Sequence, residues 1–350
     1  MVDSGEVLEE TFCREVIESR AAAFAEELSS LKRRARSDSV HGARVASRRM
    51  RAALEAFKDL LASRPRRALY ERVREVTKTL GRVRETEINL ALIKDLTAGG
   101  DMAENLCREY LHERFQRSLS KRLRRLAKTL RKLDIDRMRA QTDFLLAGLG
   151  PGEGSADAGS VTEPAPRSRS RQAVVVQHQI SQPSLFQLRP APWERGRRIM
   201  MALSQPIHQF RQRYDFRRAS DDRLHELRIA AKKLRYAMEI FDSAWPGGLK
   251  KEIVLARALQ DAGGRYHDWC VLRDRIQAEI RRLTKQETTH LAFQMGRLLA
   301  QVEERRLELR KKMAPAITQL QTAWKQSPPE AQPAAAARKR PRVKADGTTS

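Results

Sequence analysis

The chain has 350 residues, of which 69 are Lys or Arg and 44 are Asp or Glu, so its formal net charge is +25. In a compact protein this many positive side chains repel one another. Such an excess is typical of proteins that bind nucleic acid, an acidic membrane or a phosphate polymer. Aromatic residues make up only 5%, which argues against recognition of nucleic-acid bases by stacking on aromatic side chains. The three cysteines show no C-x-x-C spacing, so neither a disulfide framework nor a thiolate zinc site is expected.

Long helices are predicted on both sides of a central linker. In residues 5–148 and 193–326, apolar residues recur three and four positions apart without a strand pattern, which predicts about four helices in each half. The predicted breaks fall at 37–38, 63–65 and 99–101, and then at 219–221, 245–248 and 284–289. The sequence therefore predicts an all-α protein built from two four-helix-bundle halves.

The segments outside the halves have the composition of flexible chain. Residues 149–192 are rich in Gly, Ser and Pro, and a flexible linker is expected there, with VVVQHQI as a transient extended piece at most. Residues 327–350 are predicted to be a disordered basic tail. Its RKRPRVK segment is consistent with either an anion-binding arm or a nuclear localisation signal. No apolar run approaches the roughly 20 residues of a membrane span, and no signal peptide is recognisable, so a cytoplasmic protein without a membrane partner is expected.

One basic pattern occurs twice, as HGARVASRRMR from His41 and as HELRIAAKKLR from His225. At 100° per residue, each copy places its cations on one side of a helix and its apolar residues on the other. The apolar sides comprise Ala43, Ala46, Met50, Leu54 and Phe57 in the first copy, and Leu227, Ala230, Leu234, Met238 and Phe241 in the second. The candidate anion-binding residues are His41, Arg44, Arg48, Arg49, Arg51, His225, Arg228, Lys232, Lys233 and Arg235.

The ordinary interpretation of one such helix is a solvated charged face, but repetition at matching offsets favours a ligand. Neighbouring like charges destabilise a helix, and Glu55 and Glu239 are predicted to hold Arg51 and Arg235 rather than to neutralise the cations. The histidines are expected to donate hydrogen bonds and not to bind metal, since no His or carboxylate follows either one at i+3 or i+4. Asp38 and Asp222 are predicted to cap the two histidine helices.

A second repeated element follows, with Gly81 matching Gly264 and Arg84-Glu85 matching His267-Asp268. A glycine inside a helix predicts close packing or a kink. The basic and acidic pair is expected to orient a cation of the neighbouring histidine helix. His267-Asp268 is similar to the metal pair of phosphohydrolases, but the first copy lacks it, and metal chemistry is not expected.

These motifs resemble the conserved histidine α-helical domain (CHAD) family, whose members carry H-x-x-R-V-x-x-[RK]-[RK]-x-R in each of two helical halves. The resemblance also includes Arg235-Tyr236 and LQDAGGRYHD, and it extends over residues 5–326; Gly42, Glu85 and Gly263 depart from the family pattern. It implies two bundles related by pseudo-twofold symmetry, a central basic groove or pore lined by both histidine helices, binding of inorganic polyphosphate and association with polyphosphate granules.

Two other classes of function stay open at this point. The same charge supports nonspecific binding of nucleic acid or other polyanions, although no recognition motif is present. An enzyme acting on phosphates is not expected, because the sequence has neither a Gly-rich phosphate loop nor an acidic cluster on the basic faces. No cofactor is expected, and the oligomeric state is open, a homodimer included.

Overall fold

The computed structural model describes residues 4–33, 37–96, 101–149, 192–216, 218–245 and 247–325. These residues form nine α-helices and no strand, which confirms the all-α prediction. The helices are α1 Ser4–Arg33, α2 Ser37–Ala56, α3 Ser63–Asp95, α4 Met102–Lys132, α5 Ile135–Ala147, α6 Pro192–Arg213, α7 Asp221–Phe241, α8 Lys250–Lys285 and α9 Thr289–Lys325. The linker predicted at 149–192 lies outside the described residues except for its two ends, as does the whole tail at 327–350.

Helix α5 is the element that the sequence prediction misses. The chain breaks after α4 at Leu133 and Asp134, and the side chain of Asp134 accepts a hydrogen bond of 2.9 Å from the amide of Arg137. This is an ordinary helix cap, and the predicted breaks do not include this position. The four helices predicted for the second half are all present.

The described residues fall into two compact units. The first combines residues of Met1–Arg84 and Lys121–Arg195, and the second combines residues of Glu85–Ser120 and Gly196–Ser350. Helices α3 and α4 therefore each contribute to both units. Helices of 33 and 31 residues are each roughly 50 Å long at 1.5 Å per residue, more than one small bundle needs. The predicted halves divide the chain at 149–192 instead, whereas 85–120 group with the second unit.

The core of the first unit contains large apolar side chains such as Phe24 on α1, Phe57 directly after α2 and Leu69 on α3, each at most 1% exposed. A buried ion cluster joins distant parts of the chain in this unit. Arg195 pairs with the fully buried Glu9 and donates hydrogen bonds of 2.6 and 2.8 Å to Asp59. Loss of one member of such a cluster would leave a buried charge unpaired, so the cluster holds the start of α6 in place.

The second unit has two apolar clusters. One lies among α6, α7, the start of α8 and the end of α9, and the other lies among the end of α3, the start of α4, the end of α8 and the start of α9. Helices α6 and α7 pack closely at Gly196, where an added Cβ would approach Phe241 to 2.8 Å. The chain turns into α8 through Gly247 and Gly248, whose φ angles of 79° and 73° favour glycine.

None of the helices in the described residues combines the length and apolar character that a bilayer crossing requires. The three cysteines are buried free thiols.

Candidate functional site

Helix α2 has the two opposite sides that its sequence predicts. The apolar side is buried, from Ala43 and Leu54 at 0% exposed to Ala46 at 8%. On the other side His41 is exposed, and Arg44, Arg48, Arg49 and Arg51 are partly exposed. We call His41, Arg44, Arg48 and Arg49 the α2 basic face.

Helix α7 repeats this arrangement in the second unit. All five predicted apolar residues are buried, while Lys233 is exposed and His225, Arg228 and Lys232 are partly exposed. We call these four polar residues the α7 basic face. Each basic face is thus fixed in orientation by the burial of the opposite side of its own helix.

Arg235, placed among the ligand-binding cations by the sequence, lies instead in the interior and is only 6% exposed. It pairs with Glu239, as predicted, donates to Gln260 Oε1 at 3.0 Å, and stacks on the ring of Tyr236 at 4.4 Å. Because its donors are used within the protein, Arg235 positions α7 and is not part of the α7 basic face.

The predicted pairing of Arg51 with Glu55 is wrong. Arg51 donates a 2.8 Å hydrogen bond to the hydroxyl of Tyr70 on α3 and stacks on that ring at 4.8 Å. Glu55 lies 3.5 Å from Lys58 and 3.8 Å from Arg66. The aromatic partner on the neighbouring helix holds the guanidinium, so Arg51, like Arg235, fixes the helix rather than extending its basic face.

In the second unit two histidines lie together at the start of the α7 basic face. Nδ1 of His225 is 3.1 Å from Nδ1 of His267 on α8, and the ring centroids are 4.2 Å apart. The first unit has Arg84 at the matching position of α3, and its charge lowers the pKa of His41. The second repeated element therefore supplies a basic group to each histidine. The matching of Arg84 with His267 in the sequence was the signal for this role, although neither was included among the predicted ligand-binding residues.

All three histidines are weaker bases than usual. Burial lowers the pKa of His41, with further lowering by Arg84, Arg44 and Arg48. Burial also lowers the pKa of His225, assisted by Arg228 and Lys232. Desolvation and the charge of Arg228 lower the pKa of His267 to about 4. The rings are therefore mostly neutral at pH 7, and a bound anion would favour their protonation by offsetting the nearby cations.

The beginning of α7 is held by a cluster of buried and partly buried polar groups. Asp221, the first helical residue, accepts two hydrogen bonds of 2.8 Å from Arg306 and one of 2.6 Å from Arg273. Desolvation opposes ionisation of Asp221, but these partners and the hydroxyl of Tyr266 lower its pKa overall. This cluster fixes α7 one turn before His225.

The predicted caps need correction. Ser220 caps α7, with its hydroxyl 3.4 Å from the amide of Arg223, so Asp222 lies inside the first turn. Asp38 likewise lies inside the first turn of α2. Both carboxylates still lie at the positive end of a helix dipole, but they do not precede the helix.

The side chain of Arg228 crosses two glycines of α8. A Cβ on Gly263 would lie 3.2 Å from Cβ of Arg228, and a Cβ on Gly264 would lie 3.7 Å from its Nε. Close packing, one of the predictions for this glycine position, holds in α8. It is wrong for Gly81, where an added Cβ would meet nothing within 4 Å.

Chemically, each basic face offers cations and neutral imidazoles to an anion. Within the described part of the chain, no group of three or more His, Cys, Asp or Glu side chains is arranged to hold a metal ion. His267 contacts His225, while its neighbour Asp268 has other interactions.

The fold is similar to those of two solved structures. The fold is similar to the crystal structure of the CHAD domain from the plant Ricinus communis, with a TM-score of 0.62 and 19% identity over 89% of this chain and 91% of that one. It is also similar to PptA from Streptomyces chartreusis, with a TM-score of 0.58 and 15% identity over 90% of this chain and 99% of that one. No curated protein sequence matches the chain.

Sequence comparison gives the family directly. The family model for the CHAD domain matches residues 15–277, which is more than half of the chain and includes both basic faces. The chain therefore belongs to the CHAD domain family.

Proposed function

We propose that this protein binds inorganic polyphosphate through the α2 and α7 basic faces. The observation that carries the proposal is the repeated order of donors, with His41, Arg44, Arg48 and Arg49 matched by His225, Arg228, Lys232 and Lys233, each set opposite a buried apolar side. A solvated charged face has no need to keep this order twice.

The residue types suit a chain of phosphates. A guanidinium engages two phosphate oxygens at once, whereas an ammonium acts as a compact point charge. Four positions over about two helical turns give each face several contacts with successive phosphates. The neutral imidazoles add donors whose protonation a bound anion favours. The low aromatic content favours phosphate over nucleic-acid bases as the main recognised group.

We propose binding without catalysis. Phosphoryl transfer generally needs a metal held by clustered acids or a Gly-rich phosphate loop. The only acidic residues at the far ends of the two faces, Glu55 and Glu239, are engaged with basic side chains. Incubation with polyphosphate should therefore leave the chain length of the polymer unchanged, and release of phosphate at a rate proportional to protein would contradict this part of the proposal.

Association with polyphosphate granules in the cytoplasm follows from the same proposal, because a protein with many weak phosphate contacts is retained where phosphate is concentrated. A fluorescent fusion should co-localise with granules in cells that accumulate polyphosphate. It should be diffuse in cells that cannot make the polymer; unchanged foci in those cells would contradict granule targeting.

A competition assay tests the proposal most simply. Labelled long polyphosphate bound to the full chain is challenged with unlabelled polyphosphate, single-stranded DNA or tripolyphosphate at equal phosphate concentration. We expect polyphosphate to compete best and DNA at least about ten-fold less well, which corresponds to about 1.4 kcal/mol. Equal competition by DNA would instead identify a general polyanion-binding protein.

A further inference from the structure

The first unit contains a basic groove away from the histidine helix. It has a volume of about 490 Å³ and lies among the start of α3, the end of α4 and the start of α5. Its lining residues are Arg72, Glu75, Val76, Arg125, Lys128, Thr129, Lys132, Leu133, Asp134 and Arg137. Ligand sites of this size are ordinarily mostly apolar, whereas Val76 and Leu133 are the only apolar residues here.

The cations of the groove are not neutralised by acids. Arg72, Arg125, Lys128, Lys132 and Arg137 form no ion pair with any described residue. Nearby arginines of the same unit do pair, as Arg74 does with Glu71 and Arg139 with Asp136.

The lining contains two acids, too few to balance these charges. Glu75 is exposed and unpaired within the described residues, and Asp134 is used as the cap of α5. Five cations and two carboxylates leave a formal excess of three positive charges. Like charges four residues apart, such as Lys128 and Lys132, destabilise a helix, and a concave surface focuses their field. An anion in the groove would relieve this repulsion.

The groove is separate from the α2 basic face. On α3, Tyr70 and Arg84 face α2, where they contact Arg51 and act on His41. At 100° per residue, Val76 and Arg72 lie about 100° and 140° around the helix from the mean direction of those two residues. A ligand of the groove and a ligand of the α2 basic face therefore meet different sides of α3.

We propose that this groove is a second anion site, which binds a compact oligophosphate of a few phosphate groups. Three helices converge on a small, polar and strongly positive concavity, which suits a short, multiply charged ligand better than a long polymer. Guanidinium groups from α3, α4 and α5 approach the ligand from three elements, and the two lysines add point charges. The inference does not depend on binding of long polyphosphate by the two basic faces.

Tripolyphosphate titrated into the full chain by isothermal titration calorimetry tests the groove. The background is a variant in which Arg44, Arg48, Arg49, Arg228, Lys232 and Lys233 are changed to Gln, so that binding by the basic faces is removed. We expect this variant to retain one tripolyphosphate site. Further change of Lys128, Lys132 and Arg137 to Gln should weaken that site at least ten-fold.

The matched control changes Arg67, Lys78 and Arg131 to Gln. These residues are exposed cations of α3 and α4 that do not line the groove, so the control removes the same charge and should change affinity less than three-fold. Equal losses in the two variants, or equal competition by sulfate at the same ionic strength, would overturn the proposal. So would complete loss of tripolyphosphate binding in the background variant.

A second measurement uses the otherwise unchanged chain, so that the test does not depend on folding of a multiple variant. In the chain with both basic faces unchanged, substitution of Lys128, Lys132 and Arg137 by Gln should reduce the number of bound tripolyphosphate molecules by one. The affinity for long polyphosphate should stay within about three-fold of the wild-type value. An unchanged stoichiometry would contradict the groove site. Failure of the basic faces to bind polyphosphate would appear separately, as wild-type affinity for the long polymer in the background variant.

Discussion

The Nδ1 atoms of His225 on α7 and His267 on α8 lie 3.1 Å apart. At this distance one ring must donate and the other accept, because two protonated Nδ1 atoms would repel each other. At least one of the two rings is therefore neutral, in agreement with the lowered pKa of His267 of about 4. The pair is a partly buried contact in the free protein that lies at the start of the α7 basic face.

Binding of polyphosphate should be accompanied by uptake of protons. In the free protein, burial and nearby cations lower the pKa of His41 and of His225. A bound polyanion offsets those cations and raises both pKa values, so affinity should rise as pH falls from about 8 to about 6. Calorimetry in two buffers of different ionisation enthalpy measures the uptake directly.

The control for this prediction is the double substitution of His41 and His225 by Gln. That variant should bind with little proton uptake and a flatter pH profile. If the wild-type protein takes up no protons between about pH 6 and 8, then the histidines do not become protonated on binding.

The stability of the free protein should decrease in mildly acidic solution. The pKa of His267 is lowered from 6.5 to about 4, so between those values the unfolded state binds more protons than the folded state. Above about pH 6.5 the titration of His267 does not affect stability. As pH falls from there towards 4, it lowers the free energy of unfolding by at most about 1.4 kcal/mol per pH unit. Substitution of His267 by Gln should make the melting temperature fall less between pH 7 and 5. An identical fall in both proteins would show that His267 is freely protonated in the folded state.

Arg235 and Lys233 should respond differently to the same substitution. Arg235→Gln removes one partner from a buried pair and should lower the free energy of unfolding by about 3 kcal/mol or more. Lys233 is exposed, so Lys233→Gln should change stability by less than about 0.5 kcal/mol while weakening polyphosphate binding. Urea denaturation of both variants checks this. Comparable stability losses would mean that the Arg235 pair with Glu239 contributes little.

The glycines of the second repeated element should also differ. Gly81→Ala adds a methyl group in open space within α3 and should stabilise the protein by about 0.5 to 1 kcal/mol. Gly263→Ala brings its Cβ to 3.2 Å from Arg228, so it should stabilise less and should weaken binding by shifting that guanidinium. Thermal melts and polyphosphate titrations of the two variants provide the comparison. Equal stabilisation with unchanged affinity would show that Arg228 adjusts without cost.

The sequence predicts the helical class and the two-sided character of α2 and α7 because both follow from periodic patterns. Every residue assigned to the apolar sides is buried. The same periodicity does not separate Arg235 from its neighbours, since burial of a cation depends on Glu239, Gln260 and Tyr236 around it. Angular position on one helix says which side a residue occupies but not what covers that side.

Other details depended on contacts between elements far apart in the sequence. Glu55 is four residues after Arg51, yet Tyr70 from α3 takes the guanidinium. The contact of His225 with His267 also joins two helices. In the sequence, the only sign of this contact is the match of His267 with Arg84 in the second repeated element. The shared central channel that the resemblance implies stays a prediction.

Three variants that each remove three charges distinguish binding of polyphosphate by ordered basic faces from binding by net charge. The first changes Arg44, Arg48 and Arg49 to Gln, the second changes Arg228, Lys232 and Lys233, and the third changes Arg338, Lys339 and Arg340, which lie outside the described residues. Loss of charge-assisted contacts of about 1.5 to 3 kcal/mol each should weaken long polyphosphate at least ten-fold in either of the first two variants. The third should bind within about three-fold of the wild-type protein. Equal loss in all three, measured as the dissociation constant at one fixed salt concentration, would show that net charge alone sets the affinity.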